Sequence, residues 1–181
     1  YSLVSFIEED LKDSLHKDTQ QHLTLLKGVV SKMEALINGL LHYSRIAKGN
    51  KRQEEFKINS LLTKVVDVVD YKNLSKINLP ENNITLCANK VELEHVFQNL
   101  LSNAIKHNDK EQAVIDISLE KHPDYYMFTI RDNGPGIAPE HHTKIFKIFS
   151  QLHVNPDVEG TGIGLAIVKK IISENHGDIR F

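Results

Sequence analysis

Two glycine-rich stretches carry the clearest chemical signal in this 181-residue sequence. Asp132-Asn133-Gly134-Pro135-Gly136-Ile137 follows a predicted strand, and Gly160-Thr161-Gly162-Ile163-Gly164-Leu165 opens a predicted helix. Either stretch alone could be an ordinary turn. Glycine lets a ligand approach the backbone closely, and a helix N-terminus offers unpaired amides and partial positive charge. Together the stretches therefore predict an anion site, although they lack the lysine of a P-loop and the glycine spacing of a Rossmann turn.

A pair of asparagines adds side-chain amides to this signal. Asn99 and Asn103 lie four residues apart in a predicted helix, so both side chains face the same side. An amide oxygen is a suitable ligand for Mg²⁺, which keeps several waters and is otherwise held by nucleotide phosphates. The alternative is that both asparagines merely decorate an exposed helix face.

Four segments, taken in order, resemble the catalytic domains of sensor histidine kinases, within a wider group that includes type II topoisomerase and mismatch-repair ATPases. His95–His107 resembles the asparagine box of this family, 132–137 the first glycine box, Lys144–Phe149 the phenylalanine box and 160–165 the second glycine box. The resemblance covers nearly the whole chain. It implies an ATP-dependent protein histidine kinase of a two-component system, which transfers the γ-phosphoryl group of Mg-ATP to a histidine and then to a response-regulator aspartate.

The resemblance also implies roles for individual residues. It assigns Asn103 to Mg²⁺ and Asp132 to the adenine amino group. A carboxylate can accept a hydrogen bond from this amino group, and guanine has no amino group at that position. Asp132 could instead be a turn residue. Lys106 is expected to face the nucleotide phosphates, and the alternative is an ordinary solvated lysine. His107 stands where the family has a tyrosine or another polar ring near the phosphates, and the alternative is a half-buried histidine at the end of the helix. The complete predicted ATP site is Asn99, Asn103, Lys106, His107, Asp132, Gly134, Gly136, Ile137, Gly160, Thr161, Gly162, Ile163, Gly164 and Leu165.

The composition is that of an ordinary globular domain, with 40% hydrophobic and 25% charged residues. A formal net charge of -2 gives no general attraction to nucleic acid, so none is expected as a partner. The single cysteine, Cys87, excludes an intrachain disulfide and is predicted to be a core residue. We expect a cytoplasmic location, whether or not the parent protein is tethered to a membrane.

Residues 1–50 are predicted to form a helical hairpin. Apolar spacing predicts helices over Tyr1–Leu15 and about Thr19–Lys48. The apolar side chains of the second helix form a stripe that is wider than one partner helix can cover. We therefore expect a homodimer, in which two hairpins pair into a four-helix bundle. The alternative is that the hairpin packs against its own downstream domain.

Residues 51–181 are predicted to form the ATP-binding catalytic domain, beginning with a charged stretch at 51–57. Asn59 is expected to cap one helix, and Asn89 with Glu92 to form a capping box for another that ends near His107. Strands are predicted at 74–79, 84–87, 113–120 and 126–131. The expected fold class is α+β, a helical hairpin followed by an α/β two-layer sandwich with a mixed, mostly antiparallel sheet.

Residues 138–159 are predicted to form a lid that is helical in its first half, with Phe146 and Phe149 packing its hinge onto the domain. None of the ten histidines is set in the His-acidic-Pro pattern of the family's acceptor box. We expect that box upstream of Tyr1 and a closing hairpin beyond Phe181, so the fragment should hold no catalytic residue and be unable to phosphorylate itself. The alternatives are a catalytically silent nucleotide-binding scaffold and another ATPase of the superfamily.

Overall fold

The computed structural model describes residues 7, 16–46, 52–72, 74–151 and 160–181. The helices are α1 (Lys17–Ile46), α2 (Ile58–Val69), α3 (Lys90–Lys106) and α4 (Gly164–Glu174), and a 3-10 turn spans Pro139–His141. The strands are β1 (Glu54–Lys57), β2 (Lys76–Asn78), β3 (Thr85–Ala88), β4 (Val114–Lys121) and β5 (Tyr126–Asp132). Within the described ranges, no helix has both the length and the apolar character needed to cross a lipid bilayer.

The strands form two small sheets. In the larger sheet β4 lies in the middle, parallel to β2 and antiparallel to β5, and in the smaller sheet β1 pairs antiparallel with β3. Ile115, Ile117 and Leu119 alternate along β4 and are all buried, because every second side chain of a strand faces the helices. The predicted fold class, α+β with mixed and mostly antiparallel pairing, is confirmed.

The main hydrophobic core lies between the sheets and helices α2 and α3. Helix α3 contributes Phe97 and Leu101, both fully buried, and the ring of Phe97 meets that of Phe128 edge to face with centroids 5.2 Å apart. Burying one such side chain stabilises the fold by roughly 1.5–3 kcal/mol relative to leaving it exposed. Since these residues fix the rotation of α3, the positions of Asn99 and Asn103 on its other side are fixed as well. The core consists of Phe56, Ile58, Leu61, Leu62, Val65, Leu86, Phe97, Leu101, Ile115, Ile117 and Leu119.

A second apolar cluster joins α1 to α4. Helix α3 packs against both α2 and α4, and α1 packs on α4. Gly39 of α1 allows a close approach, because a Cβ atom there would lie 3.2 Å from the Cδ1 atom of Ile163. The buried members of this cluster are Ile46, Val96, Ile163, Ile167, Val168 and Ile171.

Helix α1 also carries exposed apolar side chains. They are Leu25, Leu26, Val29, Val30, Met33, Ile37, Leu40 and Leu41. The contacts with α4 show that α1 does pack on the downstream residues, while the exposed apolar side chains leave the predicted homodimer as a prediction. The predicted helix Tyr1–Leu15 lies outside the described residues, apart from Ile7.

Two predicted helix caps, at Asn89 and at Asn59, can be compared with the structure. Asn89 caps α3 as predicted, with its Oδ1 atom accepting the Glu92 amide at 3.3 Å. The Glu92 carboxylate was predicted to complete a capping box with Asn89, but the hydrogen bond that it accepts comes from the Nδ2 atom of Asn175 at 2.8 Å. The predicted cap at Asn59 is wrong, because α2 already begins at Ile58, which is fully buried in the core. The Asn59 Nδ2 atom instead donates to the carbonyl of Pro80 at 2.9 Å.

Three further predictions are corrected. The charged stretch 51–57 contains β1, whose Phe56 is buried opposite Leu86, whereas Cys87 faces outward and is not a core residue. The first half of the predicted lid is not an α-helix, because its only described helical element is the short 3-10 turn. Phe149 is 61% exposed and does not pack the hinge, although Phe146 lies 5.9 Å from the ring of Phe181. Residues 152–159 of the predicted lid lie outside the described residues.

Candidate functional site

Asn99 and Asn103 line the same cavity, of about 440 Å³. The Nδ2 atom of Asn99 donates to the carbonyl oxygen of His95 at 2.8 Å, so its amide oxygen points away from the helix backbone. That oxygen lies against Gly164, where any side-chain carbon would collide with it. Helix α3 therefore presents an amide oxygen directly to the second glycine box at the start of α4.

Hydrogen bonds hold the second glycine box to residues 149–151 of the predicted lid. Gly162 has a left-handed φ of +68°, and its carbonyl accepts the Phe149 amide at 2.9 Å. The carbonyl of Gly160 accepts a hydrogen bond from the side-chain amide of Gln151. The Thr161 hydroxyl accepts the amide of Ile163 at 3.4 Å. These contacts fix the backbone on which the predicted phosphate contacts depend.

Helix α4 starts in a way that suits an anion. It begins at Gly164, and the residue before it, Ile163, makes no side-chain capping hydrogen bond. The first amides of a helix have no partner within the helix, and a phosphate can accept them. Ile163 itself is buried against α1, and Leu165 is half-buried in the first helical turn. Ile163 therefore shapes the box through packing.

Asn133 organises the first glycine box. Its Oδ1 atom accepts the Val114 amide at 2.9 Å and the Asn108 side-chain amide at 2.6 Å, and its Nδ2 atom donates to the carbonyl of Gln112 at 3.1 Å. One side chain thus joins β4, the loop before it and the residues after α3. The sequence placed Asn133 within the box but gave no signal of this structural role.

Asp132 lies at the end of β5 and is exposed. Its carboxylate accepts the Gly134 amide at 2.8 Å, which is the turn contact that the alternative interpretation requires. A carboxylate has further lone pairs, so this bond leaves capacity for a ligand. Gly136 has a φ of +72°, and the carbonyl of Ile137 lies 2.8 Å from the Nε2 atom of His142.

The C-terminal end of α3 brings the positively charged Lys106 and the imidazole of His107 to the candidate site. The Nζ atom of Lys106 would lie 3.6 Å from a Cβ atom at Gly160, so the lysine is beside the second glycine box. Burial lowers the pKa of the His107 imidazole below its usual value of 6.5, and the nearby charge of Lys106 lowers this pKa further. Among the described residues, no three His, Cys, Asp or Glu side chains cluster to hold a metal. Amide oxygens, phosphates and waters together form a ligand set that Mg²⁺ accepts.

The predicted residues meet through two contacts, in which Asn99 touches Gly164 and Lys106 lies beside Gly160. Gly134 of the first glycine box lies near Asn108, which was not predicted; a Cβ atom at Gly134 would be 3.7 Å from the side-chain amide nitrogen of Asn108. Asp132 and Gly162 are not among the residues that line the cavity of the two asparagines. The lining residues are Val68, Val69, Tyr71, Gln98, Asn99, Ser102 and Asn103. Helical spacing could have indicated Gln98 and Ser102, which neighbour the asparagines, but no signal indicated residues of α2 or Tyr71.

A two-layer sandwich with an asparagine-bearing helix between two glycine turns defines an ATP-binding domain of the histidine kinase type. The family model described as histidine kinase-, DNA gyrase B-, and HSP90-like ATPase matches residues 88–181, just over half of the chain. The chain therefore belongs to this family, as the catalytic domain of a sensor histidine kinase.

The chain spans between about a quarter and about a third of the length of the curated relatives that it matches. The chain is 34% identical over 182 residues to cyanobacterial phytochrome A of Nostoc sp., a match that covers 97% of this chain and 23% of that protein. It is 30% identical to the sensor protein RprX of Bacteroides fragilis, covering 99% of this chain and 37% of RprX. The histidine kinase ThkA, solved in complex with the response regulator TrrA, has a TM-score of 0.68 at 23% identity, covering 97% of this chain and 51% of that one. At this identity the ThkA structure shows the fold alone.

Proposed function

We propose that this chain binds Mg-ATP and is the catalytic core of a two-component sensor kinase, which transfers the γ-phosphoryl group to a histidine and then to a response-regulator aspartate. The contact between Asn99 and Gly164 is the observation that carries this proposal. It brings an amide oxygen and the first amides of α4 to one place, so a metal-bound phosphate could contact both.

The residues of the site have distinct proposed roles. Asn103, beside Asn99, binds Mg²⁺, and the bound ion neutralises charge on the phosphates. Lys106 adds a positive charge next to the second glycine box, and Asp132 accepts the adenine amino group. Phosphoryl transfer requires mainly positioning and charge neutralisation, so these groups supply what the reaction needs from the protein.

The partners are part of the same proposal. None of the ten histidines has the acceptor setting, so the phosphorylated histidine is proposed to belong to another part of the parent protein. The exposed apolar side chains of α1 support a homodimer, since a second copy would bury them. A response-regulator receiver domain is the proposed recipient, supported by the similarity to ThkA, which was solved with such a partner. The proposed location is the cytoplasm.

Nucleotide binding can be tested through stability. At a Mg-ATP concentration of 100 times the dissociation constant, binding should stabilise the protein by about 2.7 kcal/mol. We expect this gain in urea titrations of the wild type and of the control Asn82→Ala, an exposed turn position. It should be lost in Asn103→Ala and in Asp132→Ala. A wild type whose unfolding free energy is unchanged by Mg-ATP would refute the proposed function.

The transfer step requires a separate assay in the full-length parent protein. Incubation with Mg-ATP labelled in the γ-phosphoryl group should give protein-bound phosphate that is stable in alkali and lost in acid, as phosphohistidine is. ATP hydrolysis without any acid-labile product would contradict the kinase assignment and favour another ATPase of the family.

A further inference from the structure

His142 lies shortly after the first glycine box and contacts it directly. Its Nε2 atom lies 2.8 Å from the carbonyl oxygen of Ile137, the last residue of that box. A carbonyl oxygen can only accept a hydrogen bond, so Nε2 carries the hydrogen in this contact and the imidazole is the donor. The ring is half-buried, and a hydrogen bond that is partly shielded from water is stronger than one in open solvent. The contact therefore ties the end of the box to the residues that follow it.

The first glycine box is held near both of its ends. Near its start, the side chain of Asn133 is fixed by three hydrogen bonds. At its end, the carbonyl of Ile137 meets the imidazole of His142. Between them lies Gly136, with a φ of +72° and, among the described residues, nothing within 4 Å of its Cβ position. Because glycine permits many backbone conformations, the position of Ile137 depends on the bond from His142.

Aromatic contacts hold the imidazole of His142 in place. The ring of Phe181 lies 5.5 Å from it between centroids, and the same Phe181 ring lies 5.9 Å from that of Phe146. The Nζ atom of Lys169 is 5.2 Å from the centroid of the Phe146 ring, a cation–π distance. Lys169 belongs to α4, which begins in the second glycine box. The ring that bonds Ile137 is thus supported by contacts that extend to the helix of the other glycine box.

We propose that His142 is a positioning residue, which holds the first glycine box where it contacts the adenine end of the nucleotide. The inference rests on the proposed function and deepens it, because the box begins with Asp132, the proposed acceptor of the adenine amino group. The imidazole acts through the carbonyl of Ile137 and is not proposed to touch the reacting atoms. Adenine is remote from the transferred phosphoryl group, so this contribution is equal in the ground state and the transition state.

The expected size of the effect follows from the fraction of molecules in which the box is correctly placed. If loss of the hydrogen bond allows a displaced box, the apparent dissociation constant rises in proportion to the fraction that is displaced. A hydrogen bond of ordinary net strength shifts such an equilibrium by about threefold to tenfold. His142→Leu should therefore raise the Kd of Mg-ATP and that of Mg-ADP by the same factor, since both nucleotides carry the same base.

Three variants separate the hydrogen bond from packing. His142→Leu removes the donor and keeps an apolar side chain beside Phe181. His142→Gln places an amide N–H donor at a similar reach and should restore most of the affinity. The matched control is His141→Leu, the same substitution one residue earlier, because the His141 imidazole lies 3.6 Å from the Glu140 carboxylate and is not the ring that bonds the box. The affinity of this control should equal that of the wild type.

Two assays measure the effect. Isothermal titration calorimetry gives the Kd of Mg-ATP and of Mg-ADP, and urea titration checks that each variant is folded. If His142→Leu is unstable, His142→Phe gives the same test, because it keeps an aromatic ring without the donor. In the full-length parent protein, the initial rate of acid-labile phosphate formation is measured over a range of Mg-ATP concentrations. His142→Leu should raise the KM for ATP by a similar factor and leave kcat unchanged, as loss of uniform binding does.

Several results would overturn the positioning role while leaving the proposed function intact. They are an unchanged Kd in His142→Leu, a lowered kcat in that variant, an equal loss of affinity in His141→Leu, and a glutamine variant that binds no better than the leucine variant. A wild type that binds neither nucleotide would refute the proposed function, and the role of His142 with it.

Discussion

The second glycine box offers a quantitative test of how closely Phe149 and Ser150 of the predicted lid pack against it. A Cβ atom at Gly162 would lie 2.9 Å from the carbonyl carbon of Phe149 and 2.9 Å from the carbonyl oxygen of Ser150. Real Cβ atoms do not approach backbone atoms so closely. Gly136 provides the matched control, because it has a similar left-handed φ of +72° and nothing within 4 Å of its Cβ position.

The expected free energies follow from these two environments. A left-handed conformation costs alanine about 1–2 kcal/mol, and the reduced entropy of the unfolded chain offsets about 0.4–1 kcal/mol of that cost. Gly136→Ala should therefore lower the free energy of unfolding by about 1 kcal/mol. Gly162→Ala carries the same backbone cost and adds about 1–3 kcal/mol of overpacking against Phe149 and Ser150.

Urea denaturation followed by far-UV circular dichroism measures the global difference between the two variants. Hydrogen exchange adds a local readout, because the Phe149 amide donates to the carbonyl of Gly162. This amide should exchange faster in Gly162→Ala than in Gly136→Ala. Equal losses of stability, together with equal exchange rates at Phe149, would refute the close approach of these two segments.

Two further predictions concern α3. Asn89→Ala should lower the free energy of unfolding by about 1 kcal/mol, since it removes the side-chain cap, whereas Asn82→Ala should leave it unchanged in the same urea titration. His107 should make the protein less stable in acid: because its pKa is lowered in the folded state, the unfolded chain binds a proton more readily as the pH falls below 6.5. His107→Gln should reduce the loss of stability between about pH 7.5 and about pH 5.5, and an unchanged pH profile would contradict the proposed environment of this imidazole.

The features predicted correctly from the sequence depend on neighbouring residues. Helix α3 and its cap at Asn89 follow from apolar spacing and from a side chain that bonds an amide three residues on. The shared orientation of Asn99 and Asn103 follows from the helical repeat alone. These interactions extend over no more than a few residues, so the pattern of residue types was enough to predict them.

The features that were predicted wrongly or not predicted at all depend on contacts between distant residues. Strand β1 is four residues long and exists because Phe56 pairs with Leu86, thirty positions along the chain. Ile58 belongs to α2 because it fills the core, and this burial displaced the expected cap at Asn59. Tyr71 reaches the asparagine cavity from a different element, so no local motif could indicate it.

The hydrogen bonds of Asn133 have a consequence for the thermodynamics of ligand binding. A turn whose backbone is already held by three partners has little conformational freedom left to lose when a ligand arrives. Ordering of this turn is thus achieved during folding, and it is not repeated each time a molecule binds and dissociates. Replacement of Asn133 by a smaller side chain would shift that entropic cost to the binding step.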